Sequence, residues 1–246
     1  MPGLSIAGDE LKGLFKLLKE LGVSVAEFRF ENGRVSLFGM DASRVSAVKW
    51  YADGVDGEGV FAIPIDRVVK WLGRVGKSEV SVEFKENRAV FRSGRRRLYV
   101  PYSASSNEFE DVALEQIIES VDNAALRVTG KEYKQVVDTV VDYPEATFEF
   151  HTGTDERLGI VADQYKGYVI VRGEDESGVK EEAVFGLEEI NDEFSIKFSP
   201  EYLKMGKYVV DACSVVDIRF DENKPLVMVG STVGDNKLFY VVAPRA

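Results

Sequence analysis

The chain has 246 residues, 45 % of them hydrophobic, and a formal charge of -11, which suits one large domain or two of about 120 residues. That acidity repels nucleic acid in general, so a DNA role requires uneven placement of charge. Cys213 is the only cysteine; it excludes an intrachain disulfide and points to a reducing, cytoplasmic setting, while the lack of a long apolar run and of a cationic leader predicts neither a membrane helix nor a signal peptide.

In chain order, the first predicted helix is Asp9–Leu21. Its Lys12, Lys16 and Lys19 span about 60°, opposite Leu14, Leu17 and Leu21. Short alternating runs follow, "VAEFRF" and "RVSLFGM", which read as strands. The segment "PIDRVVKWLGRVGKS" then predicts a second helix over Asp66–Val75. At about 100° per residue, Arg67, Lys70, Arg74 and Lys77 share a sector roughly 80° wide, opposite Val68, Val69, Leu72 and Val75. Gly73 and Gly76 loosen the end of this helix. Strands "VSVEF", "AVFRS" and "RRLYVPY" complete the first half. The stretch from Ser103 to Ser120 interleaves five acids with Phe109, Val112, Leu114, Ile117 and Ile118, as a linker docked by its apolar residues would.

The second half repeats this order. A helix over Lys131–Val141 opens with Lys131 and Lys134, strands follow, and a helix over Pro200–Ala212 carries Lys204 and Lys207. Phe61-Ala62-Ile63 is matched by Phe194-Ser195-Ile196, and Tyr99 by Tyr240. The expected fold is therefore α+β, with two similar domains at 1–104 and 124–246 joined by a connector at 105–123. In the four helical windows, 9–21, 66–77, 131–142 and 200–212, 11 bases meet nine acids, whereas the rest of the chain holds 20 bases and 33 acids. Many helix acids sit at N-termini, where the macrodipole favours them, so the middles stay basic.

Two strands read as exposed edges: "RRRLYVPY", Arg95 to Tyr102, where Pro101 cannot donate to a ladder, and the glycine-bounded "KGYVIVRG", Lys166 to Gly173. Pairing one edge with the other on a neighbouring copy makes a head-to-tail contact that closes into a ring if the angle permits. Leu98, Tyr99, Val100 and Tyr102, with Tyr168, Val169, Ile170 and Val171, are the residues such a subunit interface would use.

Little in the sequence suggests catalysis. His151 is the only histidine and reads as a surface or turn residue. Cys213 lacks a second cysteine or a histidine cluster, which leaves no zinc site. "GVDGEGV", Gly54 to Val60, lacks the helix that a phosphate loop needs. Asp41 and Asp163 read as turn or capping residues. No cofactor and no metal are expected, and the protein is read as a non-enzyme; an Asp/Glu metal-dependent nuclease ranks third.

At "FGMDASRVSAVKW", Phe38 to Trp50, the chain resembles the sliding clamps of the proliferating-cell-nuclear-antigen type, especially archaeal ones. Met40-Asp41-Ala42-Ser43-Arg44-Val45 matches that family's "MDxSRV" core, Lys224-Pro225-Leu226 its late "KPL", and Val241 to Ala246 its "APR" ending. The resemblance extends along nearly the whole chain. It implies three chains in a ring, sheets outside, and four helices lining a hole around duplex DNA. The eleven helix bases named above would meet phosphate without reading sequence. It further implies a hydrophobic pocket for peptide tails of DNA polymerase, flap nuclease and DNA ligase, together with a clamp loader as partner. By motif, the pocket residues are Met40, Ala42, Arg44, Val45, Pro225, Val241, Val242, Ala243 and Pro244, with Leu114 and Ile117 from the connector. Val241 and Val242 replace the aromatic or leucine that members often carry there, which implies a pocket that is shallower or accepts different tails. A homotrimer and a heterotrimer both fit, as does nucleoid association if the source is archaeal. The rival from another class is a β-rich scaffold without a DNA function, its basic helix faces merely solvated.

Overall fold

The computed structural model describes residues 2–104, 112–161, 163–213, 215–232 and 236–245. The chain divides into two units: Met1–Asp111 with Asp211–Ser214 and Gly230–Phe239, and Val112–Val210 with Val215–Val229 and Tyr240–Ala246.

The first unit runs β1 (Gly3–Ile6), α1 (Gly8–Glu20), β2 (Val25–Glu31), β3 (Arg34–Met40), β4 (Ser46–Asp53), β5 (Gly59–Pro64), α2 (Ile65–Leu72), β6 (Val80–Lys85), β7 (Arg88–Ser93), β8 (Arg96–Pro101) and β9 (Ser103–Ala104). One sheet has the order β1-β6-β7-β8, and the other strands follow β4-β3-β2-β5-β9. The β2–β3 turn shows why the chain reverses where it does. Asn32 and Gly33 both take positive φ, 53° and 77°, the requirement of a tight hairpin whose twist matches its strands. Alternation then buries Phe28, Phe30 and Phe84. The Phe84 ring centroid lies 5.6 Å from Phe28, 5.3 Å from Phe30 and 4.4 Å from Phe61, close enough for pair energies beyond simple burial.

The second unit runs α3 (Val112–Ser120), β10 (Ala124–Val128), α4 (Gly130–Val140), β11 (Ala146–Thr152), β12 (Gly167–Glu174), β13 (Lys180–Leu187), β14 (Glu189–Ile190), β15 (Phe194–Phe198), α5 (Pro200–Met205), α6 (Lys207–Ala212), β16 (Val216–Phe220), β17 (Leu226–Ser231) and β18 (Lys237–Val242). Its sheets repeat the first unit's orders: β13-β12-β11-β15 matches β4-β3-β2-β5, and β10-β16-β17-β18 matches β1-β6-β7-β8. Phe61 and Phe194 stand on the equivalent strands β5 and β15, and Tyr99 and Tyr240 on β8 and β18. A second aromatic core forms here, with Phe150 stacked 4.3 Å from Phe194 and 4.8 Å from Phe220.

Four expectations need correction. The helix expected over Pro200–Ala212 is two, α5 and α6, divided at Gly206. There the Tyr133 hydroxyl donates to the Leu203 carbonyl at 2.5 Å, taking the acceptor that the next helical turn would use. The second helix stops at Leu72; beyond it Arg74 and Val75 donate three residues back, to Trp71 and Leu72, and Gly76 turns left-handed with φ 71°. Part of the connector is helical, as α3, while 105–111 lie outside the described residues. Finally, Lys166–Gly173 is not an edge: β12 is paired along its length with both β11 and β13. The edge strand is β13, whose opening residues Lys180, Glu181 and Glu182 are exposed. Val100, Val169 and Val171 are fully buried, so their side chains cannot contact a neighbouring subunit.

Candidate nucleic-acid and peptide interfaces

In the first unit, α1 buries Leu11, Leu14, Phe15 and Leu18, and α2 buries Val68, Trp71 and Leu72. Amphipathic geometry therefore turns the bases outward. Lys12 and Lys16 are half-buried, whereas Lys19, Arg67, Lys70, Arg74 and Lys77 are exposed. Lys19 bonds Asp66 at 2.7 Å, joining the end of α1 to the start of α2. That hydrogen bond first, and the lysine's charge second, hold the Asp66 carboxyl below its ordinary range. Arg74 and Lys77 follow the end of α2 and are not fixed by its helical face. Lys77 instead borders a recess of about 190 Å³ with Asp9, Glu10, Asp211 and Cys213. Burial pushes the Cys213 thiol up to about 12, aided by the nearby Glu10 charge, so the thiol stays protonated and is a poor nucleophile at neutral pH.

In the second unit, a reciprocal cap starts α4: the Thr129 amide and hydroxyl both donate to Glu132 at 2.8 Å. Lys131 and Lys134 on α4, Lys204 on α5 and Lys207 on α6 are all exposed. Lys134 stands 3.9 Å from Asp138, and the Lys207 ammonium lies 4.8 Å over the Tyr208 ring. The bond from Tyr133 to Leu203 locks α4 to α5 and thus fixes the spacing of these two basic helices.

The "MDxSRV" segment owes its shape to Asp41. This buried carboxylate accepts the amides of Ser43 at 3.0 Å and Ser46 at 2.6 Å. Arg44 takes φ 57°, and Ala42 and Arg44 are held outward, exposed, with Val45 half-buried. Met40 lines a groove of about 310 Å³ with Val23, Val25, Glu27, Arg29 and Phe38. Val23, Val25 and Phe38 were not among the expected pocket residues. For Val25 and Phe38, outward-facing apolar residues on β2 and β3 are the signal that could have found them.

The remaining candidates belong to the second unit. Leu114 is buried, while Ile117, Pro225, Ala243 and Pro244 are half-buried. Val241 is 5 % exposed and Val242 fully buried; β18 packs both as core, which corrects their assignment as pocket lining. The motifs around them have mechanical roles. Lys224 bonds Asp221 at 2.6 Å and the Ser120 carbonyl at 2.7 Å, tying the "KPL" turn to the end of α3. The Arg245 amide donates to Lys197 at 2.8 Å and its guanidinium to Pro144 at 2.6 Å, which fastens the C-terminal segment to β15.

His151 lies within β11, half-buried and stacked 4.8 Å from Tyr168. Among the described residues, no group of three His, Cys, Asp or Glu is arranged to hold a metal, and no helix is long and apolar enough to cross a membrane.

No family model matches the sequence, and no curated protein matches it. Solved structures do. The chain is similar to the proliferating cellular nuclear antigen of Entamoeba histolytica, with 12 % identity, a TM-score of 0.76, and coverage of 100 % of this chain and 99 % of that one. It is also similar to a chain of the PCNA2–PCNA3 complex of Sulfolobus tokodaii, with 16 % identity, a TM-score of 0.76, and coverage of 99 % of both. With the same strand order in both of its halves and a match from end to end, the chain has the fold of a proliferating-cell-nuclear-antigen clamp.

Proposed function

We propose that this protein is a subunit of a DNA sliding clamp, a tether without chemistry of its own that encircles duplex DNA and recruits replication and repair enzymes. The observation that carries this reading is the end-to-end fold match combined with outward basic faces on α1, α2, α4, α5 and α6 in a chain of charge -11. Phosphate contacts from exposed lysines and arginines carry no sequence information and weaken with salt, as a ring that must slide requires. Subunits would join head to tail through the free edges β8 and β13. A peptide tail of a polymerase, flap nuclease or ligase would seat near Met40 and the Asp41 turn, by apolar contact and strand-like pairing.

The test reverses charge where no fold-holding contact is lost. With Lys12, Arg67 and Lys70 changed to Glu, retention on circular DNA at moderate salt is expected to fall by tenfold or more, because log affinity changes by about 0.9 per neutralised phosphate for each log unit of salt. The circular dichroism spectrum should stay unchanged. Equal retention by the variant and the parent, across a salt series, would remove the helix faces from the interface.

A further inference from the structure

In the first unit the sheet β1-β6-β7-β8 has a dry face and a wet one. Val82, Phe84, Ala89, Phe91 and Val100 are buried on the dry face, where the Trp71 ring of α2 meets Phe91 edge-on at 6.1 Å. Strand alternation puts Glu83, Lys85, Arg88, Arg92, Arg97 and Tyr99 on the other face, away from α2. Positive charge therefore gathers on two sides of this unit. One is the helix side; the other is the hairpin from Lys85 to Tyr102, with six bases and one acid.

The bases of the sheet face are not matched from within. Arg92 and Arg97 stand opposite one another in the β7–β8 ladder, a like-charge pairing that costs stability. Glu83 pairs with Arg92 and also with Lys85, at 3.3 Å. Arg95, Arg96 and Arg97 are exposed, and their side chains make no ion pair or hydrogen bond among the described residues. Gly94, at φ 53°, turns the chain between β7 and β8 and so collects these three arginines at one end of the face. Beside them Tyr99 is 49 % exposed, with the Arg88 guanidinium 5.1 Å over its ring. Arg97 and Tyr99 lie two residues apart on one strand, so their side chains rise from the same face about 7 Å apart.

From this we infer that the wet face is a second nucleic-acid site, one for a single strand, separate from the basic helices. Guanidinium forks match phosphate oxygens, and three unpaired ones sit together. The exposed Tyr99 ring offers a base something to stack on, and only an unpaired base can use it, because a duplex keeps its bases stacked inside. Arginines beside an aromatic on an open surface are what sequence-tolerant single-strand binding needs. An acidic peptide would use the arginines but would leave the ring without a role. The site is complete within the first unit and does not depend on a ring. Edge pairing of β8 engages its backbone and leaves this face open. In a clamp with duplex against α1 and α2, a strand held here lies on the opposite side of the sheet from that duplex.

The test is fluorescence anisotropy of a labelled oligothymidylate with the full chain, across a salt series. The parent should bind, with a log–log salt slope of about -2 or steeper if three arginines each meet a phosphate. The triple variant Arg95→Glu, Arg96→Glu, Arg97→Glu should bind at least tenfold more weakly and lose about two from that slope. Its Arg97→Glu change sets opposite charges across from Arg92, so its thermal melt should fall no lower than the parent's, and lost binding is not lost fold. Tyr99→Ala should weaken binding at least about fivefold, the lower value of one stacked base, whereas Tyr99→Phe keeps the ring and should bind like the parent. No binding by the parent, or equal binding by the arginine variant, would overturn the inference. Indifference to Tyr99→Ala, or equal competition by duplex of the same length, would remove the single-strand preference and overturn it too. Tighter binding of an oligoglutamate peptide would assign the face to an acidic protein segment instead. The Lys12, Arg67 and Lys70 variant should still bind the oligonucleotide; its failure would move the site to the helices. Retention on circular duplex without oligonucleotide binding defeats this inference and leaves the clamp reading standing, and the converse result does the reverse.

Discussion

Glu10 is a carboxylate in the core, 2 % exposed on the first turn of α1. It accepts the Trp50 indole N–H at 2.8 Å and the Asn236 side-chain amide at 3.0 Å. Burial raises its pKa above the ordinary 4.5, and the hydrogen bonds from Trp50 and Asn236 pull it partly back. A raised pKa in the folded state means that the protonated form is favoured by folding. Glu10 therefore supports stability best below 4.5, and that contribution is lost as pH rises through its folded value. Glu10→Gln keeps an acceptor for both donors and removes the charge. Its stability relative to the parent should rise between acid and neutral pH in urea melts. Glu10→Ala leaves the fully buried Trp50 indole N–H unmet, at a cost of about 1–3 kcal/mol. Parallel curves for Gln and parent across that range would contradict this assignment. None of it was legible beforehand: a Glu following an Asp at a helix start reads as an ordinary dipole partner, and only the folded chain brings Trp50 and Asn236 to it.

Among the elements, the most informative is the break between α5 and α6. The run "PEYLKMGKYVVDA" has helical periodicity throughout, with Gly206 as a tolerable interior glycine. What divides it is tertiary. A Cβ at Gly206 would overlap the Tyr133 hydroxyl and the Met228 sulfur, and that same hydroxyl holds the Leu203 carbonyl. Tyr133 is 1 % exposed, and burial raises its pKa, so the hydroxyl remains a donor. Tyr133→Phe should lower stability by about 0.5–1.5 kcal/mol, the net worth of one hydrogen bond. Gly206→Ala should cost more, because Tyr133 and Met228 must both move. Thermal denaturation of the two variants checks the order; a milder Gly206→Ala would show that the site has slack. The edge strands teach the opposite lesson. The apolar, alternating "GYVIVRG" is internal because both of its neighbours cover it, whereas "KEEAVFGL" is the edge because its opening charges keep it from pairing at random. The charges were in view from the start, and hydrophobicity was the wrong guide.

Across the whole molecule, what could be read early was what repeats. Phe61 with Phe194 and Tyr99 with Tyr240 marked a duplication, and each pair falls on equivalent strands. Helix bases were legible because a spacing of three or four residues fixes which way a side chain faces. The pocket was less so. Val241 and Val242 end a strand whose last three residues, Tyr240, Val241 and Val242, are all buried, so alternation gave no warning there. The topological claim itself, a closed ring around DNA, is tested most directly by loading the protein on closed circular duplex and then cutting the circle once. The ring predicts that protein retained on the circle runs off after linearisation, with a half-life that blocking the DNA ends prolongs. Retention that is the same on circular and linear DNA would show attachment by contact alone and contradict the ring.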